Sequence, residues 1–165
     1  MTRLADINAM TREAFVAAFG GVAEHSPWVA EKAWARRPFA DCEALIQAFA
    51  DGLRQAPREA KLTLIRAHPD LATRAGLTVE STGEQAGAGL DRLSAREFER
   101  FTRLNDSYKT RFGFPFIFAV KGATKHQILA AFEERVGNDP DVEFETALAQ
   151  IARIFRFRLE DRISP

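Results

Sequence analysis

An imidazole, a carboxylate and a carboxamide lie close together in this chain, where His68-Pro69-Asp70-Leu71-Ala72 is soon followed by Ser81-Thr82-Gly83-Glu84-Gln85. An imidazole of unperturbed pKa about 6.5 exchanges protons near neutrality, and a carboxylate neighbour or partial burial tunes it either way. His68 follows Leu62 and Ile65 at helical spacing, so its side chain belongs to the face that buries those two residues. Pro69 disfavours helical backbone at the residue before it, which stops the helix at His68. This is a candidate acid/base site. Taken alone, a histidine so placed is more often a satisfied core or capping residue, with Asp70 capping the next turn.

The neighbouring motif also has two readings. Ser81, with Glu84 three residues on, matches a capping box, which would make Glu84 the closure of a helix N-terminus. The small residues Ala86-Gly87-Ala88-Gly89 that follow leave room for a ligand or another surface to approach. Arg158 continues the apolar seam Leu148, Ile151, Phe155 of the last helix, and a guanidinium on a buried face must find a partner. A planar carboxylate or urea-like group suits its donors, and so does a protein carboxylate. Asn105, on the seam from Phe98 to Phe112, is expected to make a core polar bond.

Other chemistries find less support. His25, His68 and His126 are the only histidines and show no metal-ligand spacing, so no metal is expected. There is no glycine-rich phosphate loop and no nucleophile elbow, and Cys42 has no activating neighbour. Twenty-three basic side chains balance 23 acidic ones, which removes the positive field nucleic-acid binding needs. No apolar run approaches the roughly 18 residues of a membrane span, and the first ten residues lack a signal-like apolar core. The expectation is a cytoplasmic protein with a cofactor-independent site.

The elements that must position these groups are mostly helical. At 165 residues the chain fits one domain, residues 1–165, with a single core. Pro27, Pro57 and Pro140 suit first helical turns, and Ser94-Ala95-Arg96-Glu97 and Thr124-Lys125-His126-Gln127 match capping boxes. With the three-four apolar spacing of Leu45 to Leu53, Phe98 to Phe112 and Phe144 to Leu159, they predict an all-α bundle of about seven helices. Residues 113–122, from Gly113 to Gly122, are the exception. They are apolar on both alternating faces, yet Pro115 removes a ladder donor and no partner strand is evident, so an extended segment threaded against helices is expected. Its backbone groups then need other partners, a bound polar ligand or the protein itself. Residues 73–93 are the longest ambiguous stretch.

The order His68-Pro69-Asp70-Leu71, Ser81 with Glu84-Gln85 and Ala88-Gly89-Leu90-Asp91, Leu104-Asn105 with Tyr108, Arg111-Phe112-Gly113-Phe114-Pro115-Phe116-Ile117, and Arg158-Leu159 resembles the OHCU decarboxylase family. OHCU is 2-oxo-4-hydroxy-4-carboxy-5-ureidoimidazoline, the intermediate between urate and allantoin. The resemblance implies an all-helical homodimer that removes CO2 from OHCU to give (S)-allantoin without metal or cofactor. It implies His68 as the acid/base, Glu84 orienting the imidazole or binding ureido nitrogens, and Ser81 and Gln85 reading ring and ureido atoms. Pro69 would hold His68 at the pocket mouth, Arg158 would bind an anionic or carbonyl oxygen, and the Phe116, Ile117, Phe118 and Ala119 backbone would line the pocket. Phe118 is bulkier than the small aliphatic residue expected there, and Phe155 to Phe157 makes the last helix more aromatic. The alternative reading is a non-catalytic helical module that binds a purine-derived ureido ligand.

Overall fold

The computed structural model describes residues 1–73 and 78–165. Nine α-helices occur among them, two more than the apolar spacing counts, because short turns such as α1 (Leu4–Asn8) carry no periodic signal of their own. The others are α2 (Arg12–Phe19), α3 (Trp28–Trp34), α4 (Cys42–Arg54), α5 (Arg58–Arg66), α6 (Val79–Gly87), α7 (Ala95–Phe112), α8 (Lys125–Arg135) and α9 (Pro140–Glu160). A single 3₁₀ turn spans Gly20–Val22. The described sheet has two strands of two residues each: β1 (Thr2–Arg3) runs parallel to β2 (Ile163–Ser164), with Thr2 opposite Ile163. The fold is all-α, as expected.

The described residues form two compact units, Met1–Ala67 with Ala152–Pro165, and His68–Ile151. In the first, α2, α3 and α4 enclose an aromatic core in which Phe15 lies 5.0 Å from Phe19 and 6.3 Å from Phe49 between ring centroids. Phe155 of α9 meets the Phe49 ring edge-on at 6.0 Å. Cys42 is the first residue of α4, partly exposed rather than deep in the helix.

The second unit is built on α6, α7, α8 and the start of α9. Two of the three expected capping boxes form: Ser94 with Glu97 opens α7, and Thr124 with Gln127 opens α8. Gly113, at φ 77, ends α7 in the left-handed conformation that a residue without Cβ adopts freely. From there residues 115–120 are in neither helix nor strand. Phe116 stacks on Phe132 of α8 with centroids 3.9 Å apart and an interplanar angle of 8°, and Tyr108 meets Phe116 edge-on at 5.4 Å. The segment is therefore held by side-chain packing, not by a ladder.

Candidate active site

His68 follows α5 by one intervening residue, Ala67, and is buried at 8% exposure. The turn that carries it onward is tied down at each of three successive residues. Asp70 Oδ2 accepts from Lys109 Nζ at 2.6 Å, the Leu71 carbonyl accepts from Asn105 Nδ2 at 2.9 Å, and the Ala72 amide donates to Gln85 Oε1 at 3.0 Å. Ala72 has φ 62, a conformation that costs an L-residue roughly 1–2 kcal/mol and persists where surrounding bonds over-determine it. The expected core bond of Asn105 is thus a tether on the turn after His68.

Helix α6 supplies the polar face. Thr78 is its cap, accepting from the Ser81 amide at 3.1 Å, so the capping box read at Ser81 and Glu84 does not form. Ser81 and Glu84 lie inside the helix. Thr78 offers the same hydroxyl three residues earlier, and the helix starts there. The shift puts Ser81 and Gln85, one turn apart, on one buried face, with Glu84 half-buried beside them. An amide proton can be accepted only by the oxygen of a carboxamide, so the Ala72 bond fixes the Gln85 side chain. Gln85 keeps its NH2 group as the available donor. It also lines a cavity of about 900 Å³ with Ala72, Thr73, Thr82, Leu90, Asp91 and Phe98. Of the residues expected to act on or bind substrate, that cavity takes in Gln85 alone.

The Phe116 to Ala119 backbone is partly spoken for. Ile117 carbonyl oxygen accepts from Arg135 Nη1 at 2.7 Å, and the Ala119 amide donates to Gln150 Oε1 at 2.9 Å. Phe118, between them, has neither its N–H nor its C=O in a hydrogen bond among the described residues. Behind the segment stands a buried cluster in which sequence reasoning names Tyr108 but not Arg135, Asn138 or Glu143. Arg135, 8% exposed, donates from Nε to Glu143 Oε1 at 2.9 Å, and Glu143, fully buried, also accepts from Tyr108 Oη at 2.5 Å and from Asn138 Nδ2 at 3.0 Å. Burial, and then the Glu143 carboxylate, push the Tyr108 hydroxyl far above its ordinary range. The Tyr108 proton stays on. A signal for Arg135 existed: it follows the buried Ile128 and Phe132 at four-three spacing.

Arg158 lies in the first unit, whereas His68, Pro69, Ser81, Glu84, Gln85 and Phe116 to Ala119 all lie in the second. It is 4% exposed and donates from Nη2 to Glu24 Oε1 at 2.8 Å and from Nη1 to the Val22 carbonyl at 3.1 Å. A protein carboxylate therefore meets its charge, one of the two partners its seam position allowed. Among the described residues no helix is long and apolar enough to cross a membrane.

An all-helical chain with a buried histidine ahead of a tethered turn is the class these elements define, and comparison with known proteins names it further. The family model for OHCU decarboxylase matches residues 8–160. The 2-oxo-4-hydroxy-4-carboxy-5-ureidoimidazoline decarboxylase of Halalkalicoccus jeotgali is 46% identical over all of this chain and 95% of its own length, and that of Haloferax volcanii is 46% identical over 98% and 96%. A crystal structure of (S)-allantoin synthase superposes with a TM-score of 0.80 at 32% identity, covering 99% of this chain and 54% of the other. The chain belongs to the OHCU decarboxylase family.

Proposed function

We propose that this protein decarboxylates OHCU to (S)-allantoin in urate breakdown, with His68 as the acid/base. The substrate carries its own electron sink: when the bond from ring carbon to carboxylate breaks, the electron pair moves into the adjacent ring C=N and CO2 departs. The protein's task is to hold the carboxylate out of the ring plane, take the hydroxyl proton and return a proton to one face of the resulting enol. His68 does the proton work, and Glu84 orients the imidazole or holds ureido nitrogens. The Gln85 NH2, Ser81 and the Phe116 to Ala119 backbone, with the unbonded Phe118 amide, bind ring and ureido atoms. Arg158 supplies positive charge to an anionic or carbonyl oxygen, and Pro69 keeps His68 out of the helix.

The observation that carries this reading is the tethered turn. Asp70, Leu71 and Ala72 each carry a bond, two of them on the backbone and one of those to Gln85, so the turn that follows His68 is held, and a proton carrier needs placement within a fraction of an ångström. The same reading takes residues 1–165 as one domain, active as a homodimer in the cytoplasm on this small molecule alone. Circular dichroism of freshly generated OHCU tests it. Wild type is expected to accelerate formation of one allantoin enantiomer, and His68→Ala to fold yet leave the spontaneous rate and racemic product. Unchanged acceleration by His68→Ala would remove His68 from the mechanism.

A further inference from the structure

We propose that Arg135 is a positioning residue for the substrate, acting from behind the Phe116 to Ala119 segment by holding the Ile117 carbonyl and so aiming and polarising the Phe118 N–H. The inference rests on the decarboxylase reading above. A peptide group is planar and trans, so its C=O and N–H point in opposite directions. The Ile117 carbonyl and the Phe118 amide belong to one such group. Arg135 Nη1 reaches that carbonyl at 2.7 Å, which turns the Phe118 N–H away from Arg135. A charged donor on the oxygen withdraws electron density through the amide and makes its N–H a stronger donor. Phe118 has no hydrogen-bond partner for it among the described residues, which leaves that N–H for a ligand oxygen.

The guanidinium is itself held on several sides. Its Cζ lies 4.3 Å from the Phe116 ring centroid, Phe116 stacks on Phe132, and Glu143 takes the Nε proton at 2.9 Å. Stability alone does not call for this arrangement, because a buried ion pair is often replaced by apolar groups of similar volume without loss. Nor does the guanidinium satisfy itself fully. Its Nη2 is buried with no hydrogen bond among the described residues. What the geometry does achieve is a fixed carbonyl at the centre of a segment that has no ladder to fix it.

Arg135→Lys tests this, because one ammonium keeps its charge opposite Glu143 but cannot serve carboxylate and carbonyl in the planar fork of a guanidinium. KM for fresh OHCU and the calorimetric Kd for allantoin are expected to rise together by about tenfold, with kcat changed by less than about threefold. The Phe118 amide proton should also move upfield in the NMR spectrum. Tyr108→Phe removes a bond to Glu143 yet leaves the one to Ile117, so it should lower the melting temperature and leave KM as it was. Wild-type KM and Kd in a folded Arg135→Lys protein would overturn the proposal, as would a KM rise in Tyr108→Phe matching that of Arg135→Lys. If Arg135→Lys does not fold, the apolar triple variant Tyr108→Phe, Arg135→Met, Glu143→Leu carries the same comparison, and wild-type KM there overturns it too. Wild type that fails to accelerate OHCU decay defeats the decarboxylase reading, whereas an active wild type with an unshifted Arg135→Lys defeats only the role of Arg135.

Discussion

Gln85 has one side-chain oxygen, and the Ala72 amide takes it. One of that oxygen's two lone pairs is thereby committed to the fold, which leaves the NH2 as the part of Gln85 that no described residue uses, a bias the sequence does not reveal. Gln85→Glu keeps an acceptor for Ala72 and replaces the NH2 with a second acceptor, so the fold should survive while allantoin binding weakens by roughly tenfold to a hundredfold, the cost of one lost and one mismatched hydrogen bond. Titration calorimetry beside a melting curve checks both halves of that expectation. Residue types were legible in the sequence more readily than their partners. Arg158 was singled out from its seam, but Glu24, which meets its charge, lies 134 residues away, and nothing local in either segment links them. Arg135, Glu143 and Tyr108 are likewise joined across 8 and 35 residues. Periodicity can say that each faces inward and cannot say toward which other group.

Among the elements, local rules held where one candidate stood alone and slipped where two competed. Ser94 and Thr124 each had a single Glu or Gln at the third following position, and both boxes form. Near α6, Thr78 and Ser81 were both acceptable caps, and the earlier one prevails, which moves Glu84 from a closing role into the helix body. The break from helix at this segment was legible through Pro115 and its flanking glycines, while the stacking on α8 that secures it was not. At the α7 start, Glu97 accepts from the Ser94 amide and from Lys125 Nζ at 2.9 Å each, and these bonds, the Ser94 backbone first, hold its carboxyl down at about 2, against an ordinary value of 4.5. A depressed folded value means the stabilisation is complete above pH 4.5 and drains away as pH falls to about 2. Denaturation of Glu97→Ala and wild type should therefore differ most at neutral pH and converge through that window, while Ser94→Ala should cost about 1 kcal/mol as a lost cap. A gap between Glu97→Ala and wild type that stays constant down to pH 2 would contradict this account.

For the molecule as a whole, composition settled class and charge, and the apolar period settled helices, but the division into two units with α9 contributing to both was not visible in either. The least visible contact of all is β1 with β2, two residues at one extreme of the chain beside two at the other. That small ladder makes the path of the backbone almost a closed ring. Because the strands are parallel, Pro165 leaves at the far side of the pair from where Met1 enters, and a bridge must run back roughly 10 Å, which three or four residues of extended chain span. Joining Met1 to Pro165 through a flexible linker slightly longer than that should leave the native state as it is and deprive the unfolded chain of its free ends. The entropy so removed would amount to as much as about 5 kcal/mol for a loop of this size. A circularised protein that melts no higher than its linear parent would mean that the ring does not already exist in the folded molecule, and that the terminal ladder opens and closes freely in solution.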